Sequence, residues 1–154
     1  MMSSRAREGD PAPDFTLQGP DGPFTLSEHR GEIVVLIFYP ADDTAVCTRQ
    51  FCSYRDRSEE LDALGATFVG ISGDDVQSKQ DFADKHGLKI PLLADSDGAV
   101  AKAYGVHTRV GIKRSTFVID AEGRLVASKI HTLGLRYEDV DDLADLVGRA
   151  GVRT

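Results

Sequence analysis

An uninterrupted apolar run, Ile33-Val34-Val35-Leu36-Ile37-Phe38-Tyr39, ends abruptly at Pro40. A segment with no polar face cannot lie half-exposed, so it reads as a strand buried on both sides at the centre of a sheet. Such a strand needs helices on both faces, and the rest of the chain must supply them. Residues 44–64 read as a helix that stops at Gly65, with Phe51, Tyr54, Leu61 and Leu64 on its apolar face. Residues 67–72 form the next strand. Asp74 or Asp75 then caps a helix that runs to His86, with Gly87 as its stop. A short strand at 91–94 and a short helix at 98–104 follow. Strands at 115–120 and 124–128 make a hairpin through Ala121-Glu122-Gly123, and residues 139–150 close the chain as an amphipathic helix. Ahead of the central strand, 15–17 and 24–26 flank the turn-rich Gly19-Pro20-Asp21-Gly22-Pro23 and read as a peripheral hairpin. The expected class is α/β: a mixed central β-sheet flanked by helices, with an N-terminal β-hairpin. Residues 1–10 read as a flexible tail and 11–154 as a single domain, with no repeat or linker to divide it.

Charge and cysteine usage narrow the function. A net charge of -7 and a pI of about 5.0 argue against nucleic acid or an anionic membrane as the main partner. The basic N-terminus has no apolar segment behind it, and the longest apolar run is far short of a membrane span. Only two cysteines are present, Cys47 and Cys52. That is too few for a disulfide scaffold, and no C-x-x-C pair or zinc-type cluster exists. The composition points to a reducing cytoplasm, where a close thiol pair is more often redox-active than structural.

Cys47 falls in the first turn of the helix that follows Pro40. Unpaired backbone N–H groups and the positive end of the helix dipole favour a thiolate there, and the thiolate is the nucleophile. Cys52 lies five residues on and is a natural partner for whatever Cys47 becomes.

These residues carry a family resemblance. Pro40-x-x-x-Thr44-x-x-Cys47 resembles the active-site motif of the peroxiredoxins of the AhpC/TSA superfamily, and Cys52 resembles the resolving cysteine of their Q-type, or bacterioferritin comigratory protein, branch. Arg114-Ser115-Thr116-Phe117-Val118-Ile119-Asp120-x-x-Gly123 is similar to the segment with the family's active-site arginine. Pro11-x-Pro13-Asp14-Phe15 and Pro91-Leu92-Leu93-Ala94-Asp95 also fit in order and spacing. The likeness spans roughly residues 9–148 and implies a thioredoxin-like fold. Two positions depart from it: Ala45-Val46 stands where members often carry Pro-Gly, and Gln50 where many carry Glu.

The resemblance implies a thiol-dependent peroxidase acting on hydrogen peroxide and organic (alkyl) hydroperoxides. Cys47 would become a sulfenic acid, Cys52 would resolve it as an intramolecular disulfide, and thioredoxin or a similar dithiol protein would reduce that bond. No metal, haem or flavin cofactor is implied, and a monomer or weak homodimer suffices. Arg114 would supply positive charge and a fixed fork of donors; Arg109 is a nearby rival outside the pattern. Thr44 would place a hydroxyl near the thiolate or peroxide and also cap the helix. Pro40 would shield Cys47 as part of the substrate-binding loop, or simply end the strand, and Tyr39 reads as core packing. Residues five apart on an intact helix have Cα atoms about 8.6 Å apart, whereas a disulfide needs about 4.4–6.8 Å, so the helix must unwind locally. His29, His86, His107 and His131 are scattered and form no metal set. Asp42-Asp43 reads as a solvated loop, and Asp95-Ser96-Asp97-Gly98 as a capping turn. The rival functions are a thiol–disulfide oxidoreductase and a non-catalytic redox sensor or binding protein on the same fold.

Overall fold

The computed structural model describes residues 7–131 and 136–152. Two strands, β1 (Thr16–Gly19) and β2 (Gly22–Thr25), form the N-terminal hairpin, and a single 3-10 turn, Leu26–His29, leads into the central strand β3 (Ile33–Phe38). There follow α1 (Ala45–Asp56), α2 (Ser58–Asp62), β4 (Ala66–Ser72), α3 (Val76–His86), β5 (Leu92–Ala94) and α4 (Ala99–Ala103). A two-stranded ribbon, β6 (His107–Thr108) and β7 (Gly111–Ile112), precedes β8 (Ser115–Ile119), β9 (Leu125–Ile130) and α5 (Val140–Val152). The main sheet has the order β2-β1-β5-β4-β3-β8-β9. Strands β3, β4 and β5 run parallel; β1 and β8 run antiparallel to β5 and β3.

The central position expected of the apolar run follows from its pleat. Val35, Ile37 and Tyr39 face a core completed by α1, α3 and α5; Val34, Leu36 and Phe38 face a second core closed by α4 and the N-terminal hairpin. Asp75 caps α3 by accepting from the Ser78 N–H at 2.8 Å, and Gly87 ends that helix in the left-handed conformation (φ 64). Asp95 likewise accepts from the N–H groups of Val100 and Ala101, so the Asp95–Gly98 turn starts α4.

Three local expectations change. The helix expected over 44–64 breaks at Arg57 (φ -117, ψ 33). There the guanidinium grips Glu60 at 2.6 Å and Asp141 at 2.9 Å, and α2 sets off in a new direction that buries Leu61. The β6–β7 ribbon is too short for its two-residue strands to leave a period in the sequence. Glu8 to Asp10, expected in the tail, hydrogen-bond to β9 and its approach: the Gly9 N–H donates to the Leu125 carbonyl at 2.7 Å and the Leu125 N–H to that of Asp10 at 2.9 Å. Residues 1–6 lie outside the described residues. Among the described residues no helix is long and apolar enough to cross a membrane.

Gly70, in the middle of β4, fixes where α1 can sit. A Cβ there would lie 2.9 Å from the Phe51 ring and 2.9 Å from Leu92. Gly70→Ala should therefore lower the stability of the reduced protein by about 1–3 kcal/mol, as overpacking does, with an unchanged denaturant m-value in a chemical melt.

Candidate active site

Sheet register brings two of the candidate residues together. The C-terminal end of β3 pairs with the start of β8, Phe38 opposite Ser115. The residue just before β8, Arg114, therefore meets the turn that leaves β3 for α1. Cys47, third in α1, is completely buried, within the core cluster that contains Val35, Ile37, Tyr39 and Phe51. Arg114 is 4% exposed, and its Nη1 donates to Cys47 Sγ at 3.2 Å and to Gln50 Oε1 at 2.7 Å. The guanidinium thus sets a charged donor against the sulfur inside the buried site. Arg109, the sequence rival, is exposed between β6 and β7.

Gln50 orients the arginine. Its Oε1 accepts from Arg114 while its Nε2 donates to the Tyr54 hydroxyl at 3.0 Å, and that hydroxyl donates to the Glu138 carbonyl at 2.6 Å. Burial pushes the Tyr54 phenol far above its ordinary pKa, so it stays a donor. The neutral amide suits both neighbours, since a carboxylate at 50 could accept from Arg114 but not donate to Tyr54. Glu138 closes the network. It is 6% exposed; one carboxylate oxygen accepts from Thr116 Oγ1 and the other lies 2.6 Å from His131 Nε2. The His131 N–H donates in turn to the Arg114 carbonyl at 3.0 Å. Sequence reasoning missed Glu138 and Tyr54 because the contacts that join Glu138 to Thr116 and to Tyr54 span 22 and 84 positions of chain.

Thr44 occupies the N-cap position of α1 (φ -87, ψ 161) but makes no side-chain cap. This corrects the capping expectation: its hydroxyl donates back to the Ala41 carbonyl at 3.2 Å. Thr44 thus leaves the first-turn amides of α1, which lie close to Cys47, without a cap from its side chain. Pro40 is exposed where the chain leaves β3, and Tyr39 is buried as expected. Asp42 overturns the solvated-loop reading, because its side chain is only 3% exposed and pairs with Lys79 at 3.0 Å. A signal for this existed: Lys79 shares an i, i+3 face with the buried Phe82 of α3 and so must point inward. Cys52 is half-buried, both thiols are free, and α1 is helical from before Cys47 to beyond Cys52. The pair is therefore not positioned for a disulfide in this conformation. Among the described residues no group of His, Cys, Asp or Glu could hold a metal ion.

Comparison with known proteins identifies the family. The sequence model of the AhpC/TSA family matches residues 8–128. The chain is 39% identical over 127 residues to peroxiredoxin Bcp of Bacillus subtilis, covering 77% of this chain and 81% of the relative. It superposes with a TM-score of 0.83 and 33% identity on the crystal structure of peroxidoxin BcpB from Mycobacterium tuberculosis, covering 97% of this chain and 100% of that one. A Xanthomonas campestris bacterioferritin comigratory protein, described for its alkyl peroxide reduction activity, matches with a TM-score of 0.78 and 29% identity over 87% of this chain and 90% of that one. The sheet and its helices are accordingly those of the thioredoxin-fold peroxiredoxins, and rice peroxiredoxin Q is 40% identical over 129 residues, which cover 80% of this chain and 58% of that protein. The chain belongs to the AhpC/TSA family, in its bacterioferritin comigratory protein or Q-type branch, and is a thiol-dependent peroxidase.

Proposed function

We propose that Cys47 is the peroxidatic thiol, Cys52 the resolving thiol, and Arg114 and Thr44 the groups that bind and activate the peroxide. The supporting observation is the Arg114 Nη1 contact with Cys47 Sγ at 3.2 Å inside a buried site. In the first step a sulfur lone pair of the Cys47 thiolate forms a bond to one peroxide oxygen. The O–O bond breaks, its electron pair leaves on the other oxygen, and that oxygen takes a proton to become water or an alcohol. Sulfur is oxidised by two electrons and stands as sulfenic acid. Arg114 and the uncapped amides of α1 face the charge as it moves from sulfur to oxygen, and no reorganisation is needed at that moment. The Thr44 hydroxyl spends its proton on Ala41, so its oxygen can accept the O–H of a peroxide and orient it. Pro40 would line the entrance.

Resolution follows by attack of the Cys52 sulfur on the Cys47 sulfur. The S–O bond breaks, and the hydroxyl leaves with the Cys52 proton as water. A dithiol reductant, thioredoxin in this reading, then returns two electrons and two protons. The cycle is intramolecular, needs no second subunit, and suits a reducing cytoplasm. One equivalent of hydrogen peroxide added to the reduced protein, followed by timed intact mass and peptide mapping, tests it. A fast loss of two hydrogens with a Cys47–Cys52 crosslink within the monomer is the expected result. A slow reaction, or oxidation scattered without that crosslink, overturns the assignment.

A further inference from the structure

The loop between β3 and α1 is gripped from the side of α3 by a buried ionic cluster. Lys79 is 0% exposed, and its Nζ donates to Asp42 Oδ1 at 3.0 Å, to the Tyr39 hydroxyl at 3.1 Å and to the Ser72 hydroxyl. Asp42 Oδ1 also accepts from the Tyr39 hydroxyl at 2.5 Å, and Oδ2 from Ser78 Oγ at 2.7 Å. The Asp42 backbone N–H donates to Asp74 Oδ2 at 2.6 Å. Asp42 is thus fixed through both its carboxylate and its amide. The next residue, Asp43, has a positive φ of 58 and meets Lys85 at 2.8 Å and His86 at 2.9 Å on the rim of α3.

A buried ion pair is a weak device for stability. Desolvation pushes the Lys79 ammonium below its ordinary pKa, against the pull of Asp42. A well-packed apolar side chain could fill the same space at no loss. What the cluster does, and an apolar side chain cannot, is hold one backbone residue in one place, five positions before Cys47. The other side of the thiol is held differently. Phe51, between the two cysteines, packs by its ring, 4.7 Å from Tyr39, 5.4 Å from Tyr54 and 6.2 Å from Phe82 between centroids, and beside it Gln50 reaches Arg114 through a neutral amide rather than a carboxylate. Apolar contacts of that kind can release together while a buried, multiply bonded carboxylate stays in place.

We infer that Lys79 and Asp42 are positioning residues of the peroxide half-reaction, pinning the loop that sets the Cys47 geometry and marking the point at which unwinding of α1 stops. The inference rests on the assignment of Cys47 and Cys52 as peroxidatic and resolving thiols. It requires the two half-reactions to respond in opposite directions when the pin is weakened. Oxidation of Cys47 needs the loop and helix folded; capture of the sulfenic acid by Cys52 needs the helix open.

The test is rapid-quench mass analysis of single-turnover oxidation by hydrogen peroxide in wild type, Lys79→Met, Asp74→Ala and the control Val126→Ala, which thins the core at β9. In Lys79→Met, formation of the Cys47 sulfenic acid should slow about tenfold or more. Disulfide formation should be as fast as in wild type or faster, and less sulfinic acid should accumulate under excess peroxide. Asp74→Ala removes the acceptor for the Asp42 amide, together with a long contact from the Ser72 hydroxyl at 3.5 Å, leaves Lys79 and Asp42 paired, and should shift both steps in the same directions by less; it decides alone if Lys79→Met does not fold. A lowered melting temperature with both rates unchanged, as expected of the control, overturns the inference and leaves the pair purely structural. Parallel slowing of both steps also overturns it. If wild type itself forms no sulfenic acid at Cys47, the thiol assignment fails first, and the inference fails with it.

Discussion

Arg114→Met is expected to slow oxidation of Cys47 by hydrogen peroxide by about 10²–10³-fold, the usual loss when one preorganised donor to a developing anion is removed. Three losses act together. The Cys47 sulfur loses the guanidinium that contacts it at 3.2 Å. The side-chain carbonyl of Gln50, a residue only 1% exposed, loses its 2.7 Å donor. The departing peroxide oxygen loses the rigid fork that would meet it. Methionine fills the volume with a flexible apolar chain, so the core beneath should remain packed. Lysine at the same position keeps a positive charge but is a compact point charge without the planar fork. It cannot hold Sγ and Gln50 in one fixed geometry, and its rate should fall between those of wild type and Arg114→Met. The pseudo-first-order rate of Cys47 oxidation against peroxide concentration gives the answer. A methionine variant within threefold of wild type, with Cys47 still the oxidised residue, would remove Arg114 from the chemistry.

How much of this was visible in the sequence depends on the distance over which each feature is encoded. The Ile33–Phe38 strand, the cap and stop of α3 and the hairpin at Ala121–Gly123 are written in neighbouring residues, and the structure keeps them. Cys47, Thr44 and Arg114 are legible through motif spacing, and strand register then explains why residues 67 positions apart come into contact. The break at Arg57 was not legible, because an Asp141 from the last helix helps hold it. The Glu138 network was hidden for the same reason: Thr116 from β8, His131 from just past β9 and Tyr54 from α1 converge on it. Asp42 was misread because two adjacent aspartates in a loop look solvated; only the inward face of α3 shows that one of them has a buried cation waiting. Thr44 is the converse case. Its position at the helix start is a local matter and was read correctly, but the hydroxyl turns to Ala41 instead of capping.

Cys52→Ser should leave the first oxidation intact and abolish turnover supported by thioredoxin. The argument is geometric. With α1 helical through both positions, the Cα atoms of residues 47 and 52 lie about 8.6 Å apart, beyond the roughly 4.4–6.8 Å that a disulfide spans. With Cys52 as the proposed resolving thiol, wild-type protein must unwind the start of α1 between the two half-reactions, lifting Phe51 off Tyr39 and Phe82. The disulfide then holds the unwound state, since a re-formed helix would pull the sulfurs apart. Oxidised wild type should show less helix by far-UV circular dichroism than reduced wild type, and the amides of residues 46–52 should lose hydrogen-exchange protection. Cys52→Ser has no bond to hold the open state. After one equivalent of hydrogen peroxide it should gain a single oxygen at Cys47, keep its helical signal and its protected amides, and proceed to sulfinic acid under excess peroxide. Undiminished thioredoxin-supported turnover in this variant would mean that the reductant attacks the sulfenic acid directly. Cys52 would then be a half-buried core thiol, and unwinding of α1 would have no part in the cycle.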